Sequence, residues 1–89
     1  MAMYEVLIKK KVIKDIEKMP EFIQKKLANL IDDLREKGPI RAEWPNFGKL
    51  GEDTYHCHLS RKWAACWYCE EQSVIIEVYY AGSRENAPY

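Results

Sequence analysis

The chain carries no surplus of charge: 14 basic residues balance 14 acidic ones over 89 positions. A neutral chain has no whole-molecule field with which to draw in nucleic acid or an anionic membrane, so any anionic partner is left to a local cluster. Long apolar runs are absent, and the longest fall far short of the roughly 20 residues that a membrane-spanning helix needs. The cysteines number three, an odd count. No apolar leader precedes the Lys9-Lys10-Lys11 run, and the expectation is a reduced, cytoplasmic protein. Repeats, linkers and low-complexity segments are missing too, which leaves one domain, spanning residues 1–89, around one modest core.

What is present is apolar and aromatic material, with six Tyr, three Trp and two Phe. Large rings bury much area with few residues, so a core is within reach of so short a chain. The chain opens with a β-type run, Tyr4-Glu5-Val6-Leu7-Ile8. Val12, Ile13, Ile16 and Met19 then follow helical spacing, with Lys14, Asp15, Glu17 and Lys18 on the polar side. Pro20 interrupts this helix and suits the first turn of a second one. There Phe22, Ile23, Leu27, Leu30, Ile31 and Leu34 form one apolar stripe, and Gly38-Pro39 ends it. Thr54–Leu59, Trp63–Cys69 and Val74–Tyr80 read as three strands joined by short links, hence antiparallel hairpins. The expected fold class is α+β: an N-terminal strand and a helical hairpin packed on one face of a twisted, mostly antiparallel sheet of about four strands.

The stretch YHCHLSRKWAACWYC, from Tyr55 to Cys69, holds both histidines, all three cysteines and two of the tryptophans. His56-x-His58 places two imidazoles on one face of a strand, which is a possible ligand geometry, and Cys66-x-x-Cys69 has zinc-knuckle spacing. Residues three apart on a strand point to opposite faces, however, and no turn lies between these thiols, so no metal site is expected. No helix pattern starts at Cys66 to lower a thiol pKa, and the cysteines read as buried small hydrophobes. Tyr55, Cys57 and Leu59 form the apolar set that faces the helices, which leaves His56 and His58 on the opposite face. If the smaller set of the next strand (Ala64, Cys66 and Tyr68) packs on the helices, Trp63 and Trp67 line the open face beside the histidines. Such a patch suits base stacking or a protein interface, and composition does not choose between them.

The order of strand, helical hairpin, three-stranded meander and short basic-aromatic tail resembles the RelE/ParE superfamily of bacterial and archaeal toxins over nearly the whole chain. VIKDIEKMPEFIQKKLANLIDDL is similar to the family's helical hairpin, FGKLGEDTYHCHL to the segment entering its second strand, and VIIEVYYAGSRENAPY to its last strand with the G-x-R motif and tyrosine that follow. RelE-like and HigB-like members cut mRNA in the ribosomal A site, activating a ribose 2′-hydroxyl against the adjacent phosphate; ParE-like members poison DNA gyrase. By position, His56 and His58 fall where RelE-like enzymes keep two lysines, Arg84 matches a phosphate-binding arginine, Tyr89 lies close to a tyrosine that contacts RNA, and Lys49 matches a lysine of the K-L segment. Ala65 falls where the family usually carries an arginine, with Arg61 and Lys62 nearby to supply charge.

The resemblance thus implies a type II toxin acting as a ribosome-dependent mRNA endonuclease (an mRNA interferase). His56, His58, Arg84 and Tyr89 are its expected catalytic residues, and Lys49, Arg61, Lys62, Trp63 and Trp67 its expected RNA-binding residues. It implies no cofactor and no metal, a cognate antitoxin as partner beside ribosome and mRNA, and no membrane. The alternatives are a gyrase inhibitor acting by binding, or a toxin-derived module without activity.

Overall fold

Ile23, Leu27, Leu30 and Leu34 recur at helical spacing, and all four are buried in the core. They belong to α2 (Glu21–Lys37), the second of two helices in a computed structural model that describes residues 4–89. The expected domain, 1–89, therefore begins three residues outside the described range. Pro20 caps α2, and its carbonyl accepts the first two amide bonds of the helix, from Ile23 and Gln24. Gly38 ends the helix with φ +94°, where its N–H still reaches the Leu34 carbonyl. A Cβ there would stand 2.8 Å from the Tyr4 ring, so glycine is required both for its backbone conformation and for the space it leaves. The shorter α1 (Lys10–Glu17) buries Val12 and partly buries Ile16. Two residues expected in the apolar stripes face outward: Phe22 is 62% exposed and Ile13 is 45% exposed. Each lies at the margin of its helix's apolar arc, past the reach of the sheet.

The helices cover one face of a five-stranded sheet in the order β1-β5-β4-β3-β2. Its strands are β1 (Glu5–Ile8), β2 (Gly48–Lys49), β3 (Thr54–His58), β4 (Trp63–Tyr68) and β5 (Ile75–Ser83). β1 runs parallel to β5 and the other pairs are antiparallel. The fifth strand, β2, goes beyond the expected four; two residues are too few to show a period in sequence. β5 also runs further than expected, since Gly82 pairs with Ala64 and Ser83 with Trp63 inside the sheet.

The helix-side face carries Tyr55, Cys57 and Leu59 from β3 and its end, and Ala65, Trp67 and Cys69 from β4 and its end. Ile76, Val78 and Ala81 from β5 complete the core against α2 and α1. Trp67 is fully buried and stacks with Tyr55 and Phe47, at 6.2 and 6.1 Å between ring centroids. Its indole N–H donates to the Pro39 carbonyl at 3.0 Å. The larger set of β4 side chains therefore packs on the helices, and the conditional placement of Trp63 and Trp67 on the open face is corrected. A face that must fill the space under two helices takes the rings, and Ala64 and Cys66 are left for the other side. The segment between α2 and β2 is pinned by Arg41, which donates to the carbonyls of Gly38 and Lys37 and pairs with Glu43 at 2.7 Å. Trp44 adds a bond from its indole N–H to Asp33 on α2.

Candidate functional site

The open face of the sheet is built by parity. His56 and His58, two apart on β3, share a face, and their rings lie 6.4 Å apart between centroids. Opposite them on β4 are Cys66 and Ala64, and beyond these on β5 are Tyr80 and Gly82. A register shift between Cys66 and Trp67 leaves Tyr79 as the extra residue of β5. Both Tyr79 and Tyr80 then reach the open face, where burial and the neighbouring Cys66 raise the pKa of the Tyr79 phenol. Gly82 leaves room for the Tyr80 side chain, whose hydroxyl would lie 3.0 Å from a Cβ there, and Ala64 is buried beneath the face.

The last residues fold back over this face. Tyr80 donates its hydroxyl to the Ser83 carbonyl at 2.6 Å, and the Ala87 N–H donates to the Arg84 carbonyl at 3.2 Å. This turn brings the Tyr89 ring onto His56, with centroids 4.4 Å apart. Arg84 is held at the β3–β4 turn, its N–H donating to the Lys62 carbonyl at 2.9 Å and its guanidinium to the Arg61 carbonyl at 2.7 Å. Among the described residues the guanidinium makes that one hydrogen bond, which leaves most of its fork to a ligand. A cleft of about 360 Å³ opens here, lined by His58, Arg61 and Arg84, by Ser60 and Leu59, and by Lys26, Pro45 and Asn46 across from them.

Burial sets the charge states. Desolvation lowers the pKa of His56, and it lowers that of His58 with help from Arg84 and then His56. Both start from a value near 6.5, so both are neutral imidazoles at neutral pH, able to take a proton. Burial also raises the Tyr89 phenol, which stays protonated and able to give one. Cys57 and Cys66 are pushed up to about 12, chiefly by burial, and are unreactive thiols. His56 Nδ1 is buried with no hydrogen-bond partner among the described residues. Its Nε2 edge faces Gly48, where a Cβ would come within 2.8 Å.

The fold thus brings His56, His58, Arg84 and Tyr89 together, with Arg61 at the rim. Lys62 contributes its carbonyl to Arg84, while its side chain lines a groove with Phe22 and Trp63. Lys49 pairs with Tyr55, and its ammonium sits 5.9 Å over that ring, on the helix side of the sheet. Trp67, fully buried, is not available to stack on a base, and Trp63 is half-buried against the same core. Ala65 also lies on the helix side, between Cys57 and Ala81, so an arginine there would point into the core in this register. Lys26 and Asn46 were not singled out by sequence. Lys26 reads as one of many solvated helix lysines, whereas the Pro45-Asn46 pair is a turn signal that marks no ligand. Among the described residues no group of three or more His, Cys, Asp or Glu could hold a metal ion, and Cys66 and Cys69 lie on opposite faces. No described helix is long and apolar enough to cross a membrane.

No protein-family model and no curated protein matches the sequence. Solved structures do. RelE in the archaeal RelE–RelB complex from Pyrococcus horikoshii OT3 superposes with a TM-score of 0.75 at 18% identity, over 96% of this chain and 99% of that one. The isolated E. coli RelE toxin gives 0.74 at 18% identity, over 96% and 88% of the two chains. The YoeB dimer from Staphylococcus aureus gives 0.71 at 11% identity, over 91% and 97%.

Proposed function

From the RelE-type toxin fold that this chain carries, we propose that it is the toxin of a type II toxin–antitoxin system and a ribosome-dependent mRNA endonuclease. The observation that carries the reading is the convergence of two neutral imidazoles, the Arg84 guanidinium and the Tyr89 phenol on one open sheet face. His58, which shares its cleft with Arg84, takes the proton from a ribose 2′-hydroxyl. The 2′-oxygen then forms a bond to the adjacent phosphorus as the bond from phosphorus to the 5′-oxygen breaks. Arg84 holds the non-bridging oxygens where charge grows. Tyr89 supplies a proton to the leaving 5′-oxygen, and His56, packed beneath its ring, holds the phenol in place. The products are a 2′,3′-cyclic phosphate and a free 5′-hydroxyl, and the proton on His58 returns to the phenolate.

A cognate antitoxin is the proposed partner. RelE toxins of similar fold were solved with RelB antitoxins, from Pyrococcus horikoshii OT3 and from Methanococcus jannaschii. The test is primer extension on cellular mRNA after a pulse of expression. Discrete cuts at codons held in the ribosomal A site are expected, and they should vanish on co-expression of the antitoxin. Damaged DNA with intact mRNA would instead favour the gyrase-inhibitor alternative.

A further inference from the structure

Lys26, Arg61 and Arg84 line one cleft with Asn46 and His58, and no carboxylate joins them there. The chain as a whole is neutral, so this is a local concentration of positive charge. Among the described residues the salt bridges are Arg35–Asp32 and Arg41–Glu43, and none of the three cleft cations is in one. Like charges gathered without a counter-charge raise one another's energy, and a bound anion lowers it. Three cations exceed what one singly charged phosphodiester needs. The proposed chemistry uses Arg84 and leaves Lys26 and Arg61 without a task; Arg61 adjoins Arg84 through its carbonyl, whereas Lys26 comes from α2 rather than from the sheet.

The walls of the cleft are fixed before any ligand arrives. The His58 N–H donates to the Pro45 carbonyl at 2.8 Å, which ties the Pro45-Asn46 turn to β3. Asn46 holds φ +54°, a left-handed conformation that asparagine tolerates. On the other side, the bonds from Arg84 to the carbonyls of Lys62 and Arg61 lock the β3–β4 turn. A backbone frame held in this way lowers the ordering cost of binding, which then falls mainly on the exposed Lys26 and Asn46 side chains.

We propose that Lys26 and Asn46 form a second phosphate subsite, which holds the backbone phosphate next to the scissile one on a single-stranded RNA. The Lys26 ammonium supplies a point charge, and the Asn46 amide donates to a phosphate oxygen. The inference rests on the reading of His58 and Arg84 as the seat of the scissile phosphate.

The experiment is fluorescence anisotropy of a labelled 2′-O-methyl RNA oligonucleotide, which lacks the attacking hydroxyl, titrated with purified protein over a salt series. Lys26→Gln should weaken binding several-fold at low salt. It should also flatten the slope of log affinity against log salt by about 0.7, the loss of one phosphate contact on a single strand. Asn46→Gly, which keeps the left-handed backbone, should weaken binding with the slope unchanged. Lys14→Gln, on the exposed side of α1, should match wild type. Circular dichroism should confirm that all variants are folded. A wild-type slope for Lys26→Gln, failure of the wild type to bind the strand at low salt, or Lys26-dependent binding of poly-glutamate in its place would each overturn the subsite. Lys26-dependent strand binding by a protein that cuts no mRNA would refute the nuclease reading alone.

Discussion

Gly48 stands directly across the strand pair from His56, and its missing side chain makes room for the imidazole edge. Gly48→Ala should push the ring and the Tyr89 stacked on it out of place, lowering the rate of mRNA cleavage by up to about 10²-fold, the scale of a 1 Å misplacement. Proton NMR of the histidine ring resonances would show the shift directly. The same resonances test the charge states. Burial lowers both imidazole pKa values, so titration midpoints should lie below about 6.5 for both rings. Cleavage should then be flat above that pH and fall as His58 takes up its proton below it. The unfolded chain binds more protons than the folded one in that window, so these rings also make folding stability decline as pH drops below about 6.5. Arg84→Ala removes a positive neighbour and should raise the His58 midpoint more than that of His56. A midpoint for His58 above 6.5 in wild type would contradict the burial argument.

At the scale of elements, helix periodicity was legible because α2 buries Ile23, Leu27, Leu30 and Leu34 at helical spacing, and its end was legible in Gly38-Pro39. Gly38→Ala should destabilise the protein by more than about 1 kcal/mol in urea denaturation, because alanine disfavours the left-handed backbone and would strike Tyr4. Strand parity was legible for β3 and placed both histidines correctly on the open face. It was not legible for β4, where Trp63-Ala64-Ala65-Cys66-Trp67 is apolar on both faces and residue volume alone had to choose. The bulge opposite Cys66 was hidden for a similar reason: Tyr79 and Tyr80 are consecutive strand formers, and alternation cannot show that one of them is unpaired. The last strand was expected to end at Tyr80, yet β5 continues to Ser83, and the turn begins at Arg84. The tail beyond it adds little core. Deleting residues 85–89 should leave the thermal midpoint nearly unchanged and expose His56, while cleavage falls by orders of magnitude.

Over the whole molecule, one core holds both layers together, and the site depends on it only indirectly. Leu30 is fully buried at the centre of that core, and Leu30→Ala should cost about 2–5 kcal/mol in denaturant unfolding without moving the pH profile of whatever native fraction remains. The fold class was legible in sequence because the order and period of its elements are strong signals. The convergence of His58, Arg84 and Tyr89 required the register of β5 and the return of the tail, and no local pattern encodes either. Lys26 enters the cleft from a helix more than thirty positions before His58 in the chain. The most direct test uses purified protein, ribosomes programmed with a defined mRNA, and analysis of the product ends. Wild type should give cuts within the A-site codon that bear a 2′,3′-cyclic phosphate and a 5′-hydroxyl. Arg84→Ala, folded by circular dichroism, should be slower by about 10²–10³-fold, as loss of one preorganised charge stabiliser commonly is. Intact mRNA with wild-type protein, or undiminished cutting by Arg84→Ala, would contradict the assignment of this sheet face as a nuclease site.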